Sequence, residues 1–160
     1  MSAWQRLGLV GNPAGSAPWA ASHAALPALD RLAAGEWTLF LSSRDADGRA
    51  RIGRCRFLLD PVPAISTFEA MPLLEPGRLG AFDDRGVTVS CIVAHEGAKY
   101  LYYTGWSLGV TVPFYLSVGL AISTDGGRTF QRASDAPVVG RGPGDPYLTA
   151  SPFVLHERGR

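Results

Sequence analysis

One stretch of this chain is used twice. Residues 84–96 read Asp-Arg-Gly-Val-Thr-Val-Ser-Cys-Ile-Val-Ala-His-Glu, and residues 145–157 read Asp-Pro-Tyr-Leu-Thr-Ala-Ser-Pro-Phe-Val-Leu-His-Glu. Asp84 matches Asp145, Thr88 matches Thr149, Ser90 matches Ser151 and Val93 matches Val154. His95-Glu96 matches His156-Glu157, and every pair is 61 positions apart without a gap. Apolar positions are kept between the identities. A constant offset constrains architecture more than a single motif does, because it means that one supersecondary unit recurs. Each copy is read as the first strand of such a unit.

The rest of the chain falls into short strands and turns. Residues 1–22 hold Gly11-Asn12-Pro13 and Ser16-Ala17-Pro18, an irregular entry. His23–Ala34 has a helical composition, but Pro27 in its middle would break a helix, so an extended first strand is expected around Ala24–Leu29. Glu36-Trp-Thr-Leu-Phe-Leu-Ser42 is rich in β formers, and Ser43-Arg-Asp-Ala-Asp-Gly48 is a polar turn ending in Asp-Gly. Arg51-Ile-Gly-Arg-Cys-Arg-Phe57 alternates, as a strand with one wet face does. Pro61, Pro63, Pro72 and Pro76 mark a crossing over 60–82. In the next unit Val87, Val89, Cys91 and Val93 are expected on one strand face, with Thr88, Ser90 and Ile92 on the other. Glu96-Gly97 turns into Tyr100–Thr104. A loop is expected from Gly105 to Phe114, then a strand at Ser117–Ser123 whose Val-Gly-Leu echoes Ile52-Gly53-Arg54. Ser123–Phe130 reads as a hairpin turn into a fourth strand.

This pattern predicts an all-β protein. Four short antiparallel strands in about 60 residues are the anatomy of a β-propeller blade. The first blade is expected at about 20–60, the second at about 84–135, and the opening strand of a third at 145–160. On that count the chain holds about two and a half blades of a ring, and the unpaired blade edge is expected to favour self-association.

Composition narrows the function classes. Nineteen glycines and twelve prolines suit strands and turns. A net charge of +1 gives no electrostatic case for nucleic acid or an anionic membrane. Cys55 and Cys91 lack metal-site spacing and sit in apolar strand patterns, so buried free thiols are expected. No zinc spacing, phosphate loop or nucleophile elbow is present, and neither metal nor cofactor is expected. The first residues lack a basic region followed by an apolar run, so the expectation is a cytoplasmic protein.

Asp84-x-x-Val-Thr-x-Ser90 followed by Lys99-Tyr-Leu-Tyr-Tyr-Thr-Gly-Trp106 resembles a blade of the five-bladed propeller glycosidases. These include the family 43 arabinanases and xylosidases and the invertase-like fructosidases. The resemblance covers nearly the whole chain and implies a carbohydrate ligand and hydrolysis of a glycosidic bond. That reaction uses two carboxyl groups, one to protonate the leaving oxygen and one to activate water or attack the sugar.

In such a ring the start of each first strand faces the central channel, so Asp84 and Asp145 occupy equivalent candidate positions. Each Asp could equally cap its own turn by accepting backbone N–H groups. Asp145, followed by Pro146, resembles the family's third-blade acid, which tunes the pKa of the catalytic acid. Where the family carries its first-blade carboxylate, this chain has Ser22-His23-Ala24. His23 lies 61 positions before Asp84 and is read as a general base or a ligand for a sugar hydroxyl. The resemblance puts the general acid on a later blade, beyond Arg160; Glu96 and Glu157 stand at turns and do not replace it. Trp106 and Phe114 are candidate sugar-stacking residues, Arg44 is a candidate polar contact, and core packing is the alternative for the aromatics.

Ser123-x-Asp125-x-Gly127-x-Thr129-Phe130 resembles the Asp-box of sialidases, a hairpin-stabilising motif of the outer rim. Read functionally, it would imply a sialidase-like enzyme with three arginines around a ligand carboxylate. The altered first-blade position instead favours a carbohydrate-binding propeller without catalysis. His95 and His156 are read as structural corner residues.

Overall fold

The structure, a computed structural model, describes Trp4 and residues 6–157. Among these residues there is no helix. Eight strands form: β1 (Ser22–Ala33), β2 (Glu36–Arg44), β3 (Ala50–Leu58), β4 (Ala64–Ile65), β5 (Gly86–His95), β6 (Ala98–Leu108), β7 (Phe114–Ser123) and β8 (Gln131–Arg132). They make two antiparallel meanders, β1–β4 and β5–β8. A single parallel pair, Ala50 with Gly86, joins the meanders into one open mixed sheet. The all-β expectation holds.

The strands follow from the alternation and the turn chemistry. Glu96 and Gly97 both take positive φ, 48° and 78°, which gives the two-residue turn between β5 and β6 the twist a hairpin needs. Gly48 closes the β2–β3 turn at φ 76°, and its N–H donates to the Asp45 carbonyl at 3.0 Å. Pro27 sits inside β1 without breaking it. β1 is an edge strand with irregular register between Ser22 and Ala28, so a missing N–H there costs no ladder bond that the register requires.

The main core lies between the two meanders. Ala28, Phe40 and Ile52 of the first meet Val87, Val89, Leu101, Tyr103 and Ala121 of the second, with Leu74 and Phe130 closing the cluster. Val89 N–H also donates to Ser42 Oγ across this contact, at 2.9 Å. A second cluster covers the other face of the first meander, where Ala17, Trp19 and Ala20 of the entry segment pack on Leu39, Leu41, Cys55 and Phe68. Cys55 and Cys91 are buried and free, and burial pushes the Cys55 thiol up to about 12.

Three expectations are corrected. First, the face assignment of β5 fails beyond Val89. The register shifts between Val89 and Cys91, so Ile92 joins Val87 and Val89 at the core while Cys91 and Val93 turn to the other side. One extra residue in a bulge flips every later side chain. Second, half of Gly105–Phe114 is strand. Pairing of Gly86 with Trp106 and of Leu108 with Phe114 carries the hairpin on, leaving 109–113 as the loop. Third, residues 145–157 form no strand. Pro146 and Pro152 lack N–H donors, and Ser151 takes φ 50°, so a continuous ladder cannot form.

The two copies of the repeated stretch nonetheless lie together. Ser90 Oγ stands 3.4 Å from Thr104 Oγ1, and the N–H of Ser151 donates to the same hydroxyl at 2.9 Å. The rings of His95 and His156 are 4.3 Å apart between centroids.

Candidate functional site

The register builds one continuous row of neighbours across six of the strands. Ser22 faces Arg44, Arg44 faces Ala50, Ala50 faces Gly86, Gly86 faces Trp106, and Trp106 faces Leu116. Thr149 N–H extends the row by donating to the Leu116 carbonyl at 3.3 Å. One end of both meanders is thereby brought to a common rim.

A cavity of about 160 Å³ opens at this rim, lined by Arg44, Arg49, Ala50, Arg85, Trp106, Leu108 and Phe114 together with Gly48. Arg44 shares it with Trp106 and Phe114, which lie far from it in sequence. The indole of Trp106 is fixed twice: Nε1–H donates to Thr88 Oγ1 at 3.1 Å, and Phe114 meets the ring edge-on at 5.3 Å. Phe114 is half exposed and presents apolar surface to the opening. Arg49 is committed to Asp47 at 2.9 Å and to Asp45 at 3.7 Å. Arg44 and Arg85 are exposed, and among the described residues neither side chain has a hydrogen bond or ion pair. Arg85 has no signal in the repeat that would single it out.

The three acid–base candidates do not line the cavity, and no hydrogen bond or ion pair joins them; His23 follows the rim residue Ser22 and Asp84 lies just before the rim residue Gly86. His23 is exposed, at φ 67°, with Nδ1 2.9 Å from Ser22 Oγ. Its carbonyl and that of Ser22 both accept from Ser43 Oγ, at 2.9 and 2.8 Å. This bond holds a left-handed backbone that a histidine adopts only at a cost of about 1–3 kcal/mol. Asp84 lies two residues before Gly86, and its Oδ2 accepts from the Gly80 N–H at 2.9 Å, the turn-capping geometry. Its Oδ1 is buried without a partner. Asp145 is exposed in a turn closed by backbone bonds between Gly142 and Asp145, both at 3.1 Å.

The buried acid is Asp83, which the repeat passes over. It is 1% exposed; its Oδ2 accepts from Tyr103 Oη at 3.0 Å and from Arg132 Nε at 2.8 Å. Arg132 also donates to the Glu75 carbonyl, so the group ties the 75–83 segment to β6 and β8. Desolvation, then the adjacent Asp83 charge, raises the Tyr103 phenol well above its ordinary value. Only its placement opposite Tyr103 and Arg132 distinguishes Asp83 from Asp84, and the sequence carries no sign of that.

The 123–130 turn is closed by its aspartate. Asp125 Oδ1 accepts from the N–H groups of Arg128 and Thr129 at 2.9 and 3.0 Å, and Oδ2 accepts from Thr129 Oγ1 at 2.7 Å. These bonds, the Thr129 hydroxyl foremost, hold the carboxyl far below its usual range. Phe130 drops into the core against Phe40 at 6.1 Å. The turn is a structural clasp.

Comparison with solved structures finds a similar fold in two glycoside hydrolases. A candidate glycoside hydrolase from Parabacteroides distasonis ATCC 8503 superposes with a TM-score of 0.58 at 17% identity, over 79% of this chain and 39% of its own. Zg3597, a family 117 glycoside hydrolase of the marine bacterium Zobellia galactanivorans, gives 0.55 at 14% identity, over 76% and 41%. The shared property is a glycosidase-like fold. In sequence the chain is 39% identical over 157 residues to the uncharacterized proteins MT1551 and Rv1502 of Mycobacterium tuberculosis, strains CDC 1551 / Oshkosh and ATCC 25618 / H37Rv. The match covers 98% of this chain and 52% of theirs, so the chain spans about half the length of these relatives. No protein-family model matches it.

Proposed function

We propose that this chain forms part of a five-bladed β-propeller of the glycosidase type and that its rim cavity takes a glycan. The observation carrying this reading is the cross-strand row that gathers Arg44, Trp106 and Phe114 into one concavity beside the starts of β1 and β5. A fixed indole, an edge-on phenyl ring and a cation suit the apolar face and the hydroxyl edge of a sugar. The likeness to two solved glycoside hydrolases supports the glycosidase-type fold in this reading.

In the catalytic version, His23 serves as base or hydroxyl ligand, and Asp84 and Asp145 supply charge beside the reacting sugar. The strained His23 backbone held by Ser43 supports a role for that residue, since such strain concentrates where side-chain aim matters. A second reading is a carbohydrate-binding propeller without hydrolysis. It is favoured by the cavity lining, which contains no carboxylate. Most glycosidases hydrolyse with two carboxyl groups flanking the bond.

Turnover of aryl glycosides by the full-length propeller, with binding measured in parallel, separates the readings. In the catalytic case Asp145→Asn, made in the full-length propeller that this chain is proposed to belong to, lowers turnover by orders of magnitude and leaves the melting transition in place. Binding without turnover on any substrate establishes the binder. Unchanged turnover in Asp145→Asn removes that residue from the site.

A further inference from the structure

Most arginines of this chain are answered. Arg49, Arg51, Arg54, Arg56, Arg78 and Arg132 pair with carboxylates. Arg128 donates to the Asp125 carbonyl, and Arg31 and Arg141 lie over the rings of Trp37 and Tyr115. Of the described arginines, Arg6, Arg44 and Arg85 alone have no side-chain partner. Two of these three line the same cavity.

That coincidence has an energetic content. Two guanidinium groups beside one concave surface repel each other, and no Asp or Glu among the lining residues offsets them. The net charge of the whole chain is only +1, so the local excess is not a reflection of a basic protein. An entering oxyanion turns the repulsion into two attractions. The planar fork of each guanidinium fits carboxylate, sulfate and phosphate edges, and charge-assisted bonds of this kind are about twice as strong as neutral ones. The aromatic side of the same cavity, Trp106 with Phe114, leaves apolar surface next to the charge.

We propose that the cavity binds an acidic sugar, with Arg44 and Arg85 clamping its oxyanion and the Trp106–Phe114 pair receiving the ring. The inference rests on the glycan reading of the site and adds the class of sugar. The volume of about 160 Å³ is below that of a drug-sized pocket and suits one charged sugar unit of a longer glycan.

Calorimetric titration of the chain with matched methyl glycosides tests it: glucoside, glucuronide, glucoside 6-sulfate and glucoside 6-phosphate, with acetate, sulfate and inorganic phosphate alone as further arms. At least one acidic glycoside is expected to bind tenfold or more tightly than the neutral glucoside. The identity of that probe separates carboxylate from sulfate and phosphate. Arg44→Gln and Arg85→Gln are each expected to weaken its binding by about tenfold or more. Arg78→Gln, whose arginine pairs with Asp135 and does not line the cavity, should leave it unchanged. Circular dichroism and melting of each variant confirm that the fold is retained. Equal binding of neutral and acidic glycosides, insensitive to Arg44 and Arg85, overturns the acidic class while the glycan reading survives. Binding of inorganic anions with no glycoside bound overturns both.

Discussion

Asp83 and Arg85 are two residues apart and live under opposite electrostatic rules. Asp83 is sealed in the protein, and its charge is met by Arg132 and the Tyr103 hydroxyl. Arg85 is exposed at a concave rim, and no described group meets its charge. A buried charge persists only with partners at hand, because desolvation costs several kcal/mol per ion. An exposed charge needs none, since water solvates it. Satisfaction therefore separates the structural ionic group from the one available to a ligand. The same contrast divides the molecule, with a buried ion pair behind β6 and β8, in which Asp83 Oδ2 is met while Oδ1 has no partner, and an unanswered pair of arginines at the end of β2 and the start of β5.

The sharpest way to break this comparison is to delete Asp83. Asp83→Ala leaves the Arg132 guanidinium without its acidic partner, and stability should fall by about 3–5 kcal/mol in urea titration. Asp84→Ala, one residue on, loses only the bond from Gly80 and should cost about 1 kcal/mol. Equal losses would mean that burial does not distinguish the two acids.

A smaller effect is expected from pH. The Tyr103 phenol is raised in the folded protein, so the folded state favours the protonated form. Its contribution is complete below its unfolded value near 10 and is lost as pH rises from there through the higher folded value. Melting temperature should hold steady up to about pH 10 on this account and then decline, and Tyr103→Phe should flatten that limb. A variant with an unchanged alkaline limb would place the titrating group elsewhere.

The smallest effect belongs to the rim. Arg44→Gln and Arg85→Gln should each change stability by no more than about 0.5 kcal/mol, because neither removes a bond within the protein. A loss above about 2 kcal/mol would make these arginines structural and end the contrast with Asp83.

Much of the architecture was legible from alternation and turns. Glu36–Ser42, Arg51–Phe57 and Tyr100–Thr104 read as strands, and each lies within an observed one. Asp-Gly and Glu-Gly marked hairpins because positive φ is cheap there. The two stretches related by the 61-residue offset lie together in space, as the His95–His156 contact shows, but only the first forms the expected strand. Their local conformation was not legible, because backbone pairing depends on which donors remain and on what strand is adjacent. The bulge at Ser90 is invisible for a related reason. It is a property of two strands in register, and only β6 decides where β5 must absorb an extra residue.

The site divides along the same line. The sequence by itself marked Arg44 in a polar turn, and Trp106 and Phe114 in an aromatic-rich connection, as candidates. It could not determine that the parallel Ala50–Gly86 pair draws those residues to one rim, because that contact joins two meanders and carries no local pattern. Asp83 and Asp84 are chemically identical neighbours in the chain. Tertiary structure alone decided which was sealed against Tyr103 and Arg132 and which capped a turn, because burial belongs to the packed surface and not to the residue type.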